Sequence, residues 1–195
     1  MKKQILVTGG TGYIGSHTVV ELIENGYDVV IIDNLYNSEA EVIDRIAKIT
    51  GTTPPLEVFD LCDESLLDSF FRKHKNIDGI IHFAAYKAVG ESVHKPLEYY
   101  RNNLVSLMNL LGHMKKNGIP AFVFSSSCTV YGQPEKLPVS EDSPIQPAVS
   151  PYGNTKQIGE EIIRDTVTSS PGIRAIALRY FNPIGAHPSG LIGEL

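Results

Sequence analysis

The sequence predicts an α/β fold built on a doubly wound parallel sheet. Short apolar runs of strand length alternate with helix-length segments along most of the chain. The runs are rich in Val and Ile, as in strands of a parallel sheet covered on both faces. A glycine-rich turn joins the first run to the first helical segment. The 195 residues, 42% hydrophobic and 20% charged, are enough for one substantial core.

Gln4 to Thr8 (QILVT) is the first strand. A helix from about Tyr13 to Asn25 follows, ended by Gly26. Tyr27 to Ile32 is the second strand. Glu39 to Ile49 is amphipathic, with Val42, Ile43, Ile46 and Ile49 on one face. Leu56 to Phe59 is a short third strand, and Ser65 to Lys73 a helix that spaces Leu66, Leu67, Phe70 and Phe71 along one side. Gly79 to Phe83 is the fourth strand. Leu97 to Lys116 predicts one long helix closed by Asn117-Gly118. Ala121 to Phe124 is the fifth strand and runs into Ser125-Ser126-Ser127. Gln133 to Ser150 is rich in Pro and polar residues and predicts an irregular loop walling a site. Pro151 suits the first turn of the next helix, with Ser150 as its N-cap. Ile173 to Arg179 is the sixth strand.

Three motifs bear on chemistry. Gly9-x-x-Gly12-x-x-Gly15 lies between a strand and a helix. There Gly9 permits a tight turn, Gly12 lets backbone approach a pyrophosphate, and Gly15 lets the helix pack closely. The helix N-terminus adds free amides for phosphate. This is the signature of a Rossmann-type dinucleotide-binding domain. Asp33 ends the second strand, where an acid meets the adenosine ribose hydroxyls. A 2'-phosphate would face that carboxylate, and Asn34 offers no compensating cation, so NAD is expected rather than NADP. Asp60, after the third strand, either sits near the adenine or caps the following helix.

The serines at the end of the fifth strand lie where ligands bind in open α/β sheets. Tyr152 and Lys156 are at i and i+4, one helical turn apart on one face. An ammonium beside a phenol favours the phenolate, so the pair can act as an acid/base. In a chain with 9 tyrosines the spacing alone arises easily by chance. Its place after Ser127 and opposite the glycine turn gives it meaning.

The bulk numbers exclude several classes. A net charge of -5 argues against general nucleic-acid binding. Two cysteines, Cys62 and Cys128, make no disulfide framework, and a reducing cytoplasm is the default. The apolar start is too short for a signal h-region, and no stretch has membrane-helix length. The six histidines form no ligand spacing, so no metal is expected.

The glycine turn, with Ser127 and Tyr152-x-x-x-Lys156, resembles the extended short-chain dehydrogenase/reductase superfamily. Ala88-Val89-Gly90-Glu91-Ser92-Val93, Pro96-Leu97-Glu98-Tyr99-Tyr100 and the run Arg179 to Pro188 (RYFNPIGAHP) narrow the likeness to its UDP-glucose 4-epimerase family. The likeness covers essentially the whole chain. It implies an NAD site lined by Tyr13, Ile14, Asp33, Asn34, Leu35, Tyr36, Asn37, Ser38, Asp60, Leu61, Phe83, Ala84, Ala85, Lys87, Asn102, Tyr180 and Phe181, besides the glycines. It implies Ser127, Tyr152 and Lys156 as the catalytic trio, with Ser127 and Asn182 touching the UDP-sugar. Dehydratase relatives carry an acidic pair just before Val-Tyr-Gly, and decarboxylase relatives a Glu; this chain has Cys128-Thr129, which favours inversion at C4 over elimination. Cys128, where the family usually has Ala, is expected to be a small buried apolar residue. Ser106-Leu107 replaces a commoner polar-Gly pair.

Residues 1–180 are thus expected to form the NAD-binding domain and 181–195 the start of a substrate-binding region whose bulk is missing. Interconversion of UDP-glucose and UDP-galactose is the implied activity, with homodimers pairing helices 97–116 and 151–168. The 195 residues by themselves are expected to bind NAD weakly and turn over little. An epimerase for N-acetylated or uronic sugars, and a non-catalytic NAD-binding module, are the alternatives.

Overall fold

The computed structural model describes residues 2–194. Met1 and Leu195, the outer bounds of the two expected units, lie outside the described residues. Six parallel strands form one sheet in the order β3-β2-β1-β4-β5-β6. They are β1 (Gln4–Thr8), β2 (Asp28–Asp33), β3 (Leu56–Val58), β4 (Ile77–His82), β5 (Ala121–Ser127) and β6 (Arg174–Tyr180). The order reverses between β1 and β4, the switch point at which an open α/β sheet binds ligands.

Alternation along the strands sends neighbours to opposite faces. Leu6, Val30, Ile32, Ile80, Phe122 and Phe124 face one core. It is closed by α3 (Glu64–Lys73), α6 (Ser106–Asn117) and α7 (Pro151–Ser169). Val7, Val29 and Ile31 face the other, under α1 (Tyr13–Glu24) and α2 (Val42–Thr50). Ile192, from the last segment, joins this second core.

Several expectations are corrected. The helix expected from Glu39 begins at Val42, because residues 39–41 make i to i+3 turn bonds into it (Val42 N–H to Glu39 O, 3.3 Å). The long helix expected over 97–116 is interrupted. Its parts are α5 (Pro96–Tyr100), a π turn (Arg101–Val105) and α6, and a separate α4 (Val89–His94) precedes it. Ser106-Leu107, read as a departure in mid-helix, therefore begins α6. Both are buried there, and the Ser106 hydroxyl bonds back to Asn102 O at 2.6 Å. A 3-10 turn at Cys128–Tyr131 follows β5, which includes all three serines. Nor is the sheet covered throughout. Ile176 and Leu178 of β6 stand exposed, because the helices on their face, α1 and α2, pack over β1 and β2. Among the described residues no helix is long and apolar enough to cross a membrane.

Candidate active site

The turn after β1 is built by clearance. Gly9 has φ +71, in the left-handed region, and a Cβ there would come within 2.7 Å of Ala84 N. A Cβ on Gly15 would lie 2.0 Å from Gly9 O. Gly12 is the N-cap of α1 and supplies no side chain to its first amides. Those amides and the positive end of the helix dipole are left for an anion.

Asp33 ends β2 and is only 7% exposed. It accepts from Thr11 N (3.2 Å), Leu35 N (3.0 Å) and the Ser38 hydroxyl (3.4 Å). Thr11 Oγ1 lies 2.7 Å from Ser38 Oγ. One carboxylate thus ties the β2 turn to the glycine turn. Asp60 accepts from Cys62 N at 2.8 Å, while Asp63 caps α3 through Ser65 N (3.0 Å) and Leu66 N (3.1 Å). The cap reading of Asp60 is corrected: Asp63 has that role.

At the other side stands Tyr152, placed on the first turn of α7 by Pro151 and the Ser150 cap, which accepts from Gly153 N at 3.1 Å. Lys156 is buried one turn on. Its Nζ donates to Ser125 O at 2.7 Å and lies 4.8 Å from the Phe124 ring centroid and 5.7 Å from that of Tyr152. Burial lowers the ammonium to about 8. Burial raises the Tyr152 phenol above its ordinary value, opposed by the Ser127 hydroxyl. The expected depression of the phenol by Lys156 is therefore absent in the free protein; burial dominates, and the opposing influence is the Ser127 hydroxyl. Beneath them His82 stays neutral, lowered to about 3 mainly by burial and secondarily by Lys156, with Nδ1 2.7 Å from Thr8 Oγ1.

A single cavity of about 760 Å³ joins these groups. It is lined by Gly9, Gly12, Tyr13, Ile14, Gly15, Asp33, Asn34, Tyr36, Asn37, Ser38, Asp60 and Leu61 on the β2 and β3 side. Phe83, Ala84, Ala85, Lys87, Asn102, Ser127, Tyr152, Lys156, Tyr180, Phe181 and Asn182 line it elsewhere. Leu35 is the exception among the expected residues. At φ +58 it is not part of the lining, since the turn carries its neighbours inward instead. Thr11, Tyr86 and Arg45 line it without having been anticipated. The glycine turn already signalled Thr11; no periodicity marks the other two. Cys128, expected to be buried, is half-buried and faces this cavity. Thr129 Oγ1 is a buried hydroxyl without a hydrogen-bond partner among the described residues. Among those residues no cluster of His, Cys, Asp or Glu is arranged to hold a metal.

The end of β6, which leads to Asn182, is clamped to α7 and to the 3-10 turn that follows Ser127. Arg179, at the end of β6, forks onto Glu160 of α7 (Nε to Oε1 3.0 Å, Nη2 to Oε2 2.7 Å) and donates to Tyr131 Oη at 3.0 Å. The Ser126 hydroxyl donates to the same Glu160 at 2.5 Å. The pair is largely sheltered, so losing one partner strands the other. Arg179→Met is expected to cost roughly 1–3 kcal/mol in a denaturant titration. Adding Glu160→Met should recover part of the loss; a double variant as unstable as the sum of the singles would show that the pair is not coupled.

The pattern of the NAD dependent epimerase/dehydratase family matches residues 5–195. The chain belongs to that family. Within the NAD dependent epimerase/dehydratase family it is 52% identical over 190 residues to the UDP-glucose 4-epimerase of Yersinia enterocolitica, covering 97% of this chain and 56% of that one. It is 53% identical over 190 residues to the enzyme of Bacillus subtilis, with the same coverage. The crystal structure of UDP-glucose 4-epimerase from Bifidobacterium longum in complex with NAD+ and UDP superposes with a TM-score of 0.96 at 48% identity, over 98% of this chain and 57% of that one. The chain thus spans little more than half the length of the relatives it matches.

Proposed function

We propose that this chain is the NAD-binding, acid/base half of a UDP-glucose 4-epimerase, interconverting UDP-glucose and UDP-galactose. The observation that carries the reading is one cavity reaching from the glycine turn and Asp33 to Ser127, Tyr152 and Lys156. Its likeness to named epimerases at 52% and 53% identity supports the substrate class. On this reading residues 1–180 are the cofactor domain and 181–195 open the substrate region. The enzyme is cytoplasmic and homodimeric, with Leu97 and Met108, exposed on α5 and α6, available to a helix-pairing interface. It has no nucleic-acid or membrane role.

The residues fit NAD. Gly12 leaves the first amides of α1 uncapped for a pyrophosphate, and Asp33 offers a carboxylate at the cavity wall for a ribose diol. Arg45, the cation nearest in kind to a 2'-phosphate partner, is engaged by Glu39 at 3.3 Å, which supports NAD over NADP. When bound, NAD would supply a reversible hydride acceptor for sugar C4, so that no net oxidation results. Tyr152 takes the proton from the 4-hydroxyl and later restores it. Ser127 aligns that hydroxyl, and Asn182 holds the UDP-sugar. Lys156 supports the phenolate by its charge, which is present below about pH 8 and lost above it. The positive charge that NAD brings is the further help a buried phenol needs. Thr129 supplies no carboxylate for elimination.

The test uses the chain alone and the chain fused to the remaining length of a close relative. The chain alone should bind NAD weakly, with a measurable light-absorbing complex, and consume little or no UDP-galactose. The fusion should invert C4. Absence of any NAD complex would sink the cofactor assignment; a fusion that oxidises or dehydrates the sugar without inversion would sink the epimerase assignment.

A further inference from the structure

Tyr36 and Tyr86 hold a position that core packing does not explain. Tyr36 is 59% exposed, yet its ring meets that of Tyr86 with centroids 4.8 Å apart and planes at 37°. Tyr36 follows β2 and Tyr86 follows β4, and β1 lies between those strands. The contact therefore crosses the carboxyl end of β1, from which the glycine turn springs. Both residues border the cavity. A ligand reaching from Asp33, on the β2 side, to Lys156, behind β5, must cross the same line.

The two sides are held differently. The Tyr86 backbone is bonded at both ends by the buried Asn103, which accepts from its N–H at 2.9 Å and donates to its carbonyl at 3.0 Å. The Tyr86 ring also packs edge-on against buried Tyr99, 5.5 Å away at 62°. Tyr36 hangs from a turn whose Leu35 sits at φ +58, a strained place for a branched side chain. Within that turn Leu35 N bonds Asp33 Oδ1 (3.0 Å) and Tyr36 N bonds Asn34 Oδ1 (3.1 Å), and its far end is tied back through Ser38, while the Tyr36 ring itself hangs free of hydrogen bonds among the described residues. One jaw is fixed, and the other rides on a turn built on the residues that meet the ribose.

We propose that the Tyr36–Tyr86 contact is a clasp across the dinucleotide pocket, and that Tyr86 is a cofactor-retaining residue whose effect is on release. This rests on the reading of the cavity as the NAD site. The clasp would open and close by movement of the Tyr36 turn, while Asn103 keeps Tyr86 in place.

The test is release of NADH from the 195-residue chain, followed by fluorescence after a chase with excess NAD. Tyr36→Ala and Tyr86→Ala are each expected to release NADH about three- to tenfold faster, the worth of one aromatic pair. The double variant should release no faster than the quicker single, and Tyr36→Phe should match the parent. Tyr36 is exposed, so its variants carry the decision even if Tyr86→Ala disturbs folding. Unchanged release in Tyr36→Ala, additive effects in the double, or faster binding with unchanged release would each overturn the clasp. A parent chain that binds no NADH would overturn the reading of the cavity itself, a result distinct from measurable binding with identical release in every variant.

Discussion

Tyr152→Phe in the fused protein should lower C4 inversion by about 10²–10⁴ or more, the worth of a positioned acid/base, while NAD remains bound. The phenol lines the cavity with Ser127 and stands one turn from Lys156, placed to exchange a proton. Its burial makes it a weak base until charge is brought close. The parent's rate should therefore rise with pH on the acid side, as more phenolate forms. It should stop rising near pH 8, where Lys156 loses its proton. The variant should lose this profile along with the rate. Near-normal inversion by Tyr152→Phe, measured under saturating UDP-galactose, would remove Tyr152 from the mechanism.

Gly15→Ala should be the most damaging added methyl among the described glycines. The added carbon would sit 2.0 Å from Gly9 O, a backbone atom that cannot swing aside. Either α1 moves off the sheet or the turn opens, and both destroy the arrangement that receives the pyrophosphate. Overpacking of this kind costs about 1–3 kcal/mol or more in stability. NADH affinity should fall at least about tenfold, roughly 1.4 kcal/mol. Gly112→Ala is the control, since nothing lies within 4 Å of a Cβ there. In mid-helix it should stabilise by about 0.5–1 kcal/mol. Unfolding midpoints and NADH titrations on both variants decide the matter; equal behaviour would show that the close approach has no energetic weight.

What could be read from the residues follows from how local each signal is. The six strands were legible because Val- and Ile-rich runs are contiguous, and their parallel pairing followed from the helices between them. Gly9, Gly12, Gly15 and Asp33 were legible because turn, helix start and strand end adjoin in sequence. Ser127, Tyr152 and Lys156 needed more, since only the sheet order brings β5 and α7 beside the turn after β1. Tyr86 and Arg45 were not legible. Tyr86 is placed by a bond to Asn103 in the distant π turn, and Arg45 by the way α2 returns to the sheet beside Glu39; no periodicity records either. The break in the helix expected over 97–116 was missed because a π turn changes the bonding interval without changing the kinds of residue that form it. The depressed phenol was wrong for a different reason: spacing reports proximity of charge, but only burial reports its cost.

The π turn at Arg101–Val105 has a consequence for how this molecule can change over generations. A residue gained or lost within a regular helix rotates everything beyond it by about 100°. Here the extra residue is already absorbed in one wide turn, between α5 and α6. Restoring a tight turn by deleting one residue would swing Asn103 away from Tyr86 and Thr155, both of which it now bonds. The segment's length is therefore coupled to the pocket it frames, whereas the irregular 133–150 loop, expected to wall a site, contributes none of the cavity lining and is tied instead to α7 through Gln157 and Ser150.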